Sequence, residues 1–225
     1  MCLLSNIMRD RDRIKYYTKS EERLNVISHA IGLFLSVIGL ILLIVKAGQL
    51  SLMALKVSYW IFGSSIILLY AASTLYHSVR ERKLRYRLNI LDHASIYILI
   101  AGTYTPFSLV TLQGSVGWII FGVVWALAII GVILKLFFTG RFETLSTIMY
   151  VAMGWIIVFA VKPLIDNLSQ DGLIWLFTGG ISYTIGAVIF SIDRLKYNHA
   201  IFHVFVLFGT FCHFLAIYYH VIPNE

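Results

Sequence analysis

Seven apolar runs of about twenty residues, divided by short polar breaks, govern what this chain can fold into. Coiled as an α-helix, a run of that length matches the hydrocarbon thickness of a bilayer. A helix also satisfies its own backbone groups where there is no water to do so. The runs fall at about residues 26–46, 54–78, 89–111, 116–138, 143–161, 172–192 and 199–221. Charged residues are 13% of the 225, against about 25% in a soluble domain, and the mean hydropathy is +0.84. The sequence therefore predicts an all-α membrane protein: a seven-transmembrane helix bundle over residues 25–222 after a basic cytoplasmic arm over residues 1–24. Ser20-Glu21-Glu22-Arg23 marks a helix start that leads into the first span. Gly102-Thr103-Tyr104-Thr105-Pro106 predicts a kink or loosening in the third, because proline removes a backbone donor. Thr139-Gly140-Arg141 reads as a tight turn, Lys162-Pro163 as the end of the fifth span and Asp193-Arg194-Leu195-Lys196 as the end of the sixth.

The net charge of +7 would suggest nucleic acid in a soluble protein, but no groove-like mixture of aromatic and basic residues accompanies it. Its distribution has a different meaning. With the N-terminus in the cytoplasm and the spans alternating, the cytoplasmic segments hold all 18 Lys and Arg except Lys46, Lys56 and Lys162. This is the positive-inside pattern, and it places the C-terminus outside the cell membrane. Arg80, Arg82, Lys83, Arg85 and Arg87 crowd one inner loop, and Lys135 and Arg141 flank another. The N-terminus is too polar after Arg9, Arg11, Arg13 and Lys15 for a cleavable signal. Cys2 and Cys212 are too few and too distant for a disulfide framework.

The same topology gathers chemistry. His199 and His203 stand four apart at the start of the seventh run, one turn above the other on a helix. His77 ends the second run one turn after Ser73, and Asp92 opens the third. All then lie near the cytoplasmic side at one depth. Ionisable groups in a bilayer are expensive and read as functional. Each histidine taken alone also fits an ordinary hydrogen-bonded helix end. Taken together, three neutral imidazoles suit zinc and leave a fourth tetrahedral position for water. Zinc lowers the pKa of such a water to about 7, Asp92 can serve as general base, and Ser73 can hydrogen-bond the water, Asp92 or a substrate oxygen. His29, on the inner side of the first span, is a candidate to support a ligand. His93 points about 100° away from Asp92, while His213 and His220 lie too far outward to share the ion.

Ser73-x-x-x-His77, Asp92 and His199-x-x-x-His203, with the segment Glu21-Glu22-Arg23-x-Asn25 leading to His29 and with Gly102-Thr103-Tyr104-Thr105-Pro106, resemble the hemolysin III family. That family is grouped with the progestin and adipoQ receptors and, more distantly, the alkaline ceramidases. The resemblance covers nearly the whole chain and implies zinc at His77, His199 and His203 near the cytoplasmic face, with Asp92 and Ser73 around its water. The receptors carry a long N-terminal domain where this chain has a short basic arm, so its size resembles the bacterial members.

Three functions from different classes follow. The leading one is a zinc-dependent hydrolase of a lipid amide or ester, with membrane lipid as substrate and no nucleic-acid partner. The alternatives are a non-enzymatic, receptor-like or lipid-homeostasis protein with a structural zinc, and a pore-forming haemolysin. No run carries the polar stripe that would line a pore, and the spans lack the outward trail of acids or histidines that zinc transport would need.

Overall fold

The computed structural model describes residues 15–112 and 114–221. Their regular structure is all helical, with no strand among them, and seven helical segments are long and apolar enough to cross a membrane. We number the helices α1 (Lys19–Gly48), α2 (Met53–Ser78), α3 (Arg82–Pro106), α4 (Gly114–Phe138), α5 (Glu143–Gly154), α6 (Val161–Asn167), α7 (Gln170–Phe190) and α8 (Asn198–His220). Helices α5 and α6 are two halves of the fifth span, joined by a 3₁₀ turn over Ile156–Ala160. The expected arm over 1–24 falls largely outside the described residues, and α1 already begins at Lys19.

Helix α1 starts where the chain chemistry says it should. The Thr18 hydroxyl accepts from the Glu21 amide at 3.3 Å, and Glu21 and Glu22 sit in the first turn, where the helix dipole favours negative charge. Its inward stripe is Glu21, Asn25, His29, Gly32 and Ser36, while Ile31, Phe34 and Leu35 point out. That is the reverse of a soluble amphipathic helix. With lipid outside, apolar side chains lose nothing by facing outward, and polar ones need the interior.

Helix α1 packs on α2, α2 on α3, α3 on α4 and α7 on α8, and α1 meets α8 across the bundle. Close approach of α7 and α8 depends on Gly179 and Gly209, where a Cβ on either would meet the other's carbonyl oxygen. The most enclosed span is the third. As expected from Pro106, its α-helix loosens there, into a π-helical turn over Phe107–Leu112.

The fifth span departs from expectation. Lys162-Pro163 does not end it; Pro163 stands in the first turn of α6, where a missing N–H breaks no helical hydrogen bond, and the span continues to Asn167. The interruption comes earlier, at Trp155. Tyr104 of α3 bridges it, its hydroxyl donating to Gly154 O at 2.7 Å and accepting from the Ile157 amide at 2.9 Å.

A seven-residue link, 191–197, joins α7 to α8. It ends in Tyr197 at φ 60°, a left-handed conformation that a residue with a Cβ adopts only under constraint. The side-chain amide of Asn198 provides the constraint, donating to Phe190 O at 3.0 Å and Ile192 O at 3.3 Å, carbonyls at the end of α7. This lock fixes where α8 begins, and so where His199 and His203 stand.

Candidate metal centre

His77 in the last turn of α2 and His199 and His203 in the first two turns of α8 converge, all buried. One ligand atom from each lies within 4.8 Å of the others, so the three could hold a metal ion. The separation His77 Nε2–His199 Nε2 is 3.2 Å. Tetrahedral zinc at about 2.0–2.1 Å from its nitrogens sets neighbouring ligands roughly 3.3 Å apart, so this pair already has the spacing of a tetrahedral edge.

The outer nitrogens are engaged one by one. His77 Nδ1 lies 2.7 Å from Glu22 Oε2, His199 Nδ1 2.7 Å from the Tyr17 hydroxyl, and His203 Nδ1 3.2 Å from Ser28 Oγ. Glu22 is a carboxylate, so the His77 proton belongs on Nδ1 and the Nε2 lone pair is free. Ser28 donates its own proton to Asn25 O at 3.0 Å and therefore accepts from His203 Nδ1–H, freeing that Nε2 as well. Burial pushes the Tyr17 phenol above its ordinary pKa, so it stays protonated. With a metal on His199 Nε2, the Tyr17 oxygen accepts from Nδ1–H. Outer partners of this kind, fixing tautomer and ring orientation, are the usual company of metal-ligating histidines.

Glu22 is itself held. Arg85 Nη2 donates to its other oxygen, and the guanidinium also reaches Val79 O at 3.0 Å and Tyr76 O at 3.2 Å while lying over the Tyr76 ring at 4.5 Å. The sequence reading counts Arg85 only as topology charge; the structure puts it 1% exposed, in the support of the site. Tyr17 and Ser28 have no role in that reading, and Glu22 and Asn25 enter it only through the helix start and the family resemblance. A signal was present: Glu21, Asn25, Ser28, His29 and Gly32 recur at helical spacing on one side of an otherwise apolar span.

Asp92 and Ser73 are both buried and line a cavity of about 140 Å³ together with His199 and His203. Asp92 stands outside the group of three histidines. Both ring nitrogens of His29 have no hydrogen-bond partner among the described residues, and Ser73 Oγ has none but the Asp92 carboxylate beside it. Left alone, such buried groups cost about 1–3 kcal/mol each, so this wall suits a polar occupant. Of the remaining histidines, His93 also lines the cavity, its Nδ1 3.1 Å from Asn89 O. His213 donates from Nε2 to Leu176 O at 3.0 Å on the cavity's far reach, and His220 Nδ1 meets Ser169 Oγ at 2.6 Å. Neither belongs to the trio, as expected.

The cavity is long and mostly apolar. It runs along α5 from Glu143 to Gly154, about 16 Å at 1.5 Å per residue, between walls that include Leu69, Ile96, Leu99, Phe202 and Val206.

Residues 17–214 match the family model described as haemolysin-III related. The chain is 46% identical over 204 residues to "Hemolysin-3" of Bacillus cereus, covering 91% of this chain and 93% of that one. It is 43% identical over 206 residues to "Hemolysin-3 homolog" of Bacillus subtilis (strain 168), covering 92% and 97%. A more distant relative is the human "Monocyte to macrophage differentiation factor", 29% identical over 173 residues, 72% of this chain and 70% of that one.

Proposed function

We propose that this chain, which belongs to the haemolysin-III related family, is a multi-pass cell-membrane hydrolase that cleaves a lipid amide or ester with zinc held by His77, His199 and His203. The observation that carries the reading is the joining of two features. Three imidazoles with occupied outer nitrogens converge; two of them, His199 and His203, line a long apolar cavity, and the same wall carries the buried Asp92 carboxylate with the Ser73 hydroxyl beside it.

Zinc, when bound, supplies a Lewis acid for the scissile carbonyl and acidifies a water. The chain's own residues do the rest. Glu22, Tyr17 and Ser28 hold the ligand rings in the tautomer that points Nε2 inward. Asp92 takes the proton from the attacking water and returns it to the leaving group. Ser73 Oγ, one turn from His77, donates to the water or to a substrate oxygen and so fixes the line of attack. The apolar length of the cavity receives the acyl chain and keeps bulk water away from the reacting carbonyl.

Release of fatty acid from a mixed lipid pool by the purified protein tests the proposal. Turnover that persists in Asp92→Ala, or no turnover by zinc-loaded wild type on any pool, sinks it.

A second reading has its own support. The trio and its partners tie together the Tyr17 segment, α1, α2, α3 and α8, so a metal there would brace the bundle. In that case removing zinc lowers the melting temperature sharply while no lipid is consumed.

A further inference from the structure

Lys135 faces the wrong way for a charge that only sets topology. The buried stripe of α4 is Gly117, Ile120, Val124, Ala128, Gly131 and Lys135, at helical spacing, so the lysine continues the packing face. Its neighbours Leu134, Leu136 and Phe137 are turned outward, while Lys135 is only 4% exposed. A lysine one turn from a helix end can snorkel to the headgroups, but this one instead lines the cavity that holds Asp92, His199 and His203.

Among the described residues no carboxylate lies within ion-pair range of the Lys135 ammonium group. The Tyr150 ring is 5.9 Å away, and Glu143 and Asp92 are within electrostatic reach without touching it. On the same cavity wall, the hydroxyls of Ser146 and Thr147 donate to backbone carbonyls, Phe142 O at 2.9 Å and Glu143 O at 3.0 Å. Their protons are spent. A cation held in a span without a close counter-ion is expensive, and this one supplies charged donors at the polar end of an otherwise apolar cavity.

We propose that Lys135 recognises an anionic head group, a phosphate or carboxylate, on a lipid whose tail occupies the apolar length of the cavity. The inference rests on the proposed hydrolase only in taking the cavity for a lipid site. It narrows the substrate class to acidic lipids and makes Lys135 a specificity-determining residue, separate from the metal ligands.

The test is equilibrium binding to the full-length protein in a non-ionic detergent, with dodecyl phosphate, dodecanol and inorganic phosphate as probes. Dodecyl phosphate should bind the wild type roughly 10- to 100-fold more tightly than dodecanol, the effect of one hydrogen bond to a charged group. Lys135→Met should bring the two within about threefold with zinc content unchanged, and Lys135→Arg should keep the preference. Losing a buried charge to an apolar chain of similar length favours folding of Lys135→Met in a bilayer. Should that variant nevertheless fail to fold, the wild-type comparison still decides, since no preference for the phosphate overturns the proposal. A preference that survives in Lys135→Met also overturns it. Inorganic phosphate binding as tightly as dodecyl phosphate would assign the site to a free anion and overturn the lipid. Asp92→Asn separates the two claims: with hydrolysis absent, it should retain the head-group preference.

Discussion

His29 lies flat against His203, the ring centroids 3.5 Å apart and the planes 11° from parallel, and it also makes a T-shaped contact with Tyr70 at 5.0 Å. The stack confines the rotation of His203 about its own axis, as the Ser28 hydrogen bond does from the edge. Ring shape and ring nitrogens can therefore be tested apart. His29→Phe keeps the stack and should hold zinc nearly as well as wild type in a chelator competition. His29→Ala removes it and should weaken zinc by the 10- to 100-fold typical of lost support around a ligand. Equal affinities for the two variants would mean that the stack does nothing for the metal.

Zinc should be present at one ion per chain and should disappear in His77→Ala, His199→Ala and His203→Ala. Elemental analysis of protein purified without chelator reads this directly, and a zinc-free wild type would refute it. Protons compete for the same imidazole nitrogens, so acidification should release the ion.

Asp92→Asn should separate metal from chemistry. The amide keeps the shape of the carboxylate but cannot take a proton. Zinc should stay near one per chain while lipid hydrolysis falls by roughly 10²–10⁴. Loss of metal equal to that in His203→Ala would make Asp92 a direct ligand and close the position that water needs.

Glu22→Gln should weaken zinc roughly 10- to 100-fold, because a neutral amide holds His77 Nδ1–H less firmly than a carboxylate. It also leaves the buried Arg85 without its ion-pair partner. Removing one member of such a pair destabilises by about 3–5 kcal/mol, an upper bound here because Glu22 keeps 18% of its side chain exposed. Thermal unfolding of the zinc-free protein isolates this part from the metal's contribution.

The cytoplasmic assignment of the site is tested by labelling. A cysteine placed between Arg80 and Arg87 should resist impermeant reagents in intact cells, and a reporter after Glu225 should lie outside. Labelling of that loop from outside would invert the topology.

By itself the sequence determined the seven spans, the loosening after Pro106 and the gathering of His77, His199 and His203, because hydrophobic length and alternating topology set the depth of each residue. Depth is one coordinate, and rotation about the helix axis is another. In lipid an outward face is as apolar as an inward one, so apolar periodicity says little about which way α4 turns. Only packing turned Lys135 and Arg85 inward, where the sequence alone offers them as topology charges, and only packing laid His29 on His203. The break in the fifth span was settled in the same way. Pro163 is locally the stronger signal, yet it is harmless in a first turn, while the Tyr104 hydroxyl from α3 satisfies the backbone freed beside Trp155. Each of these outcomes depends on a partner from another helix, which no local pattern in a single span can name.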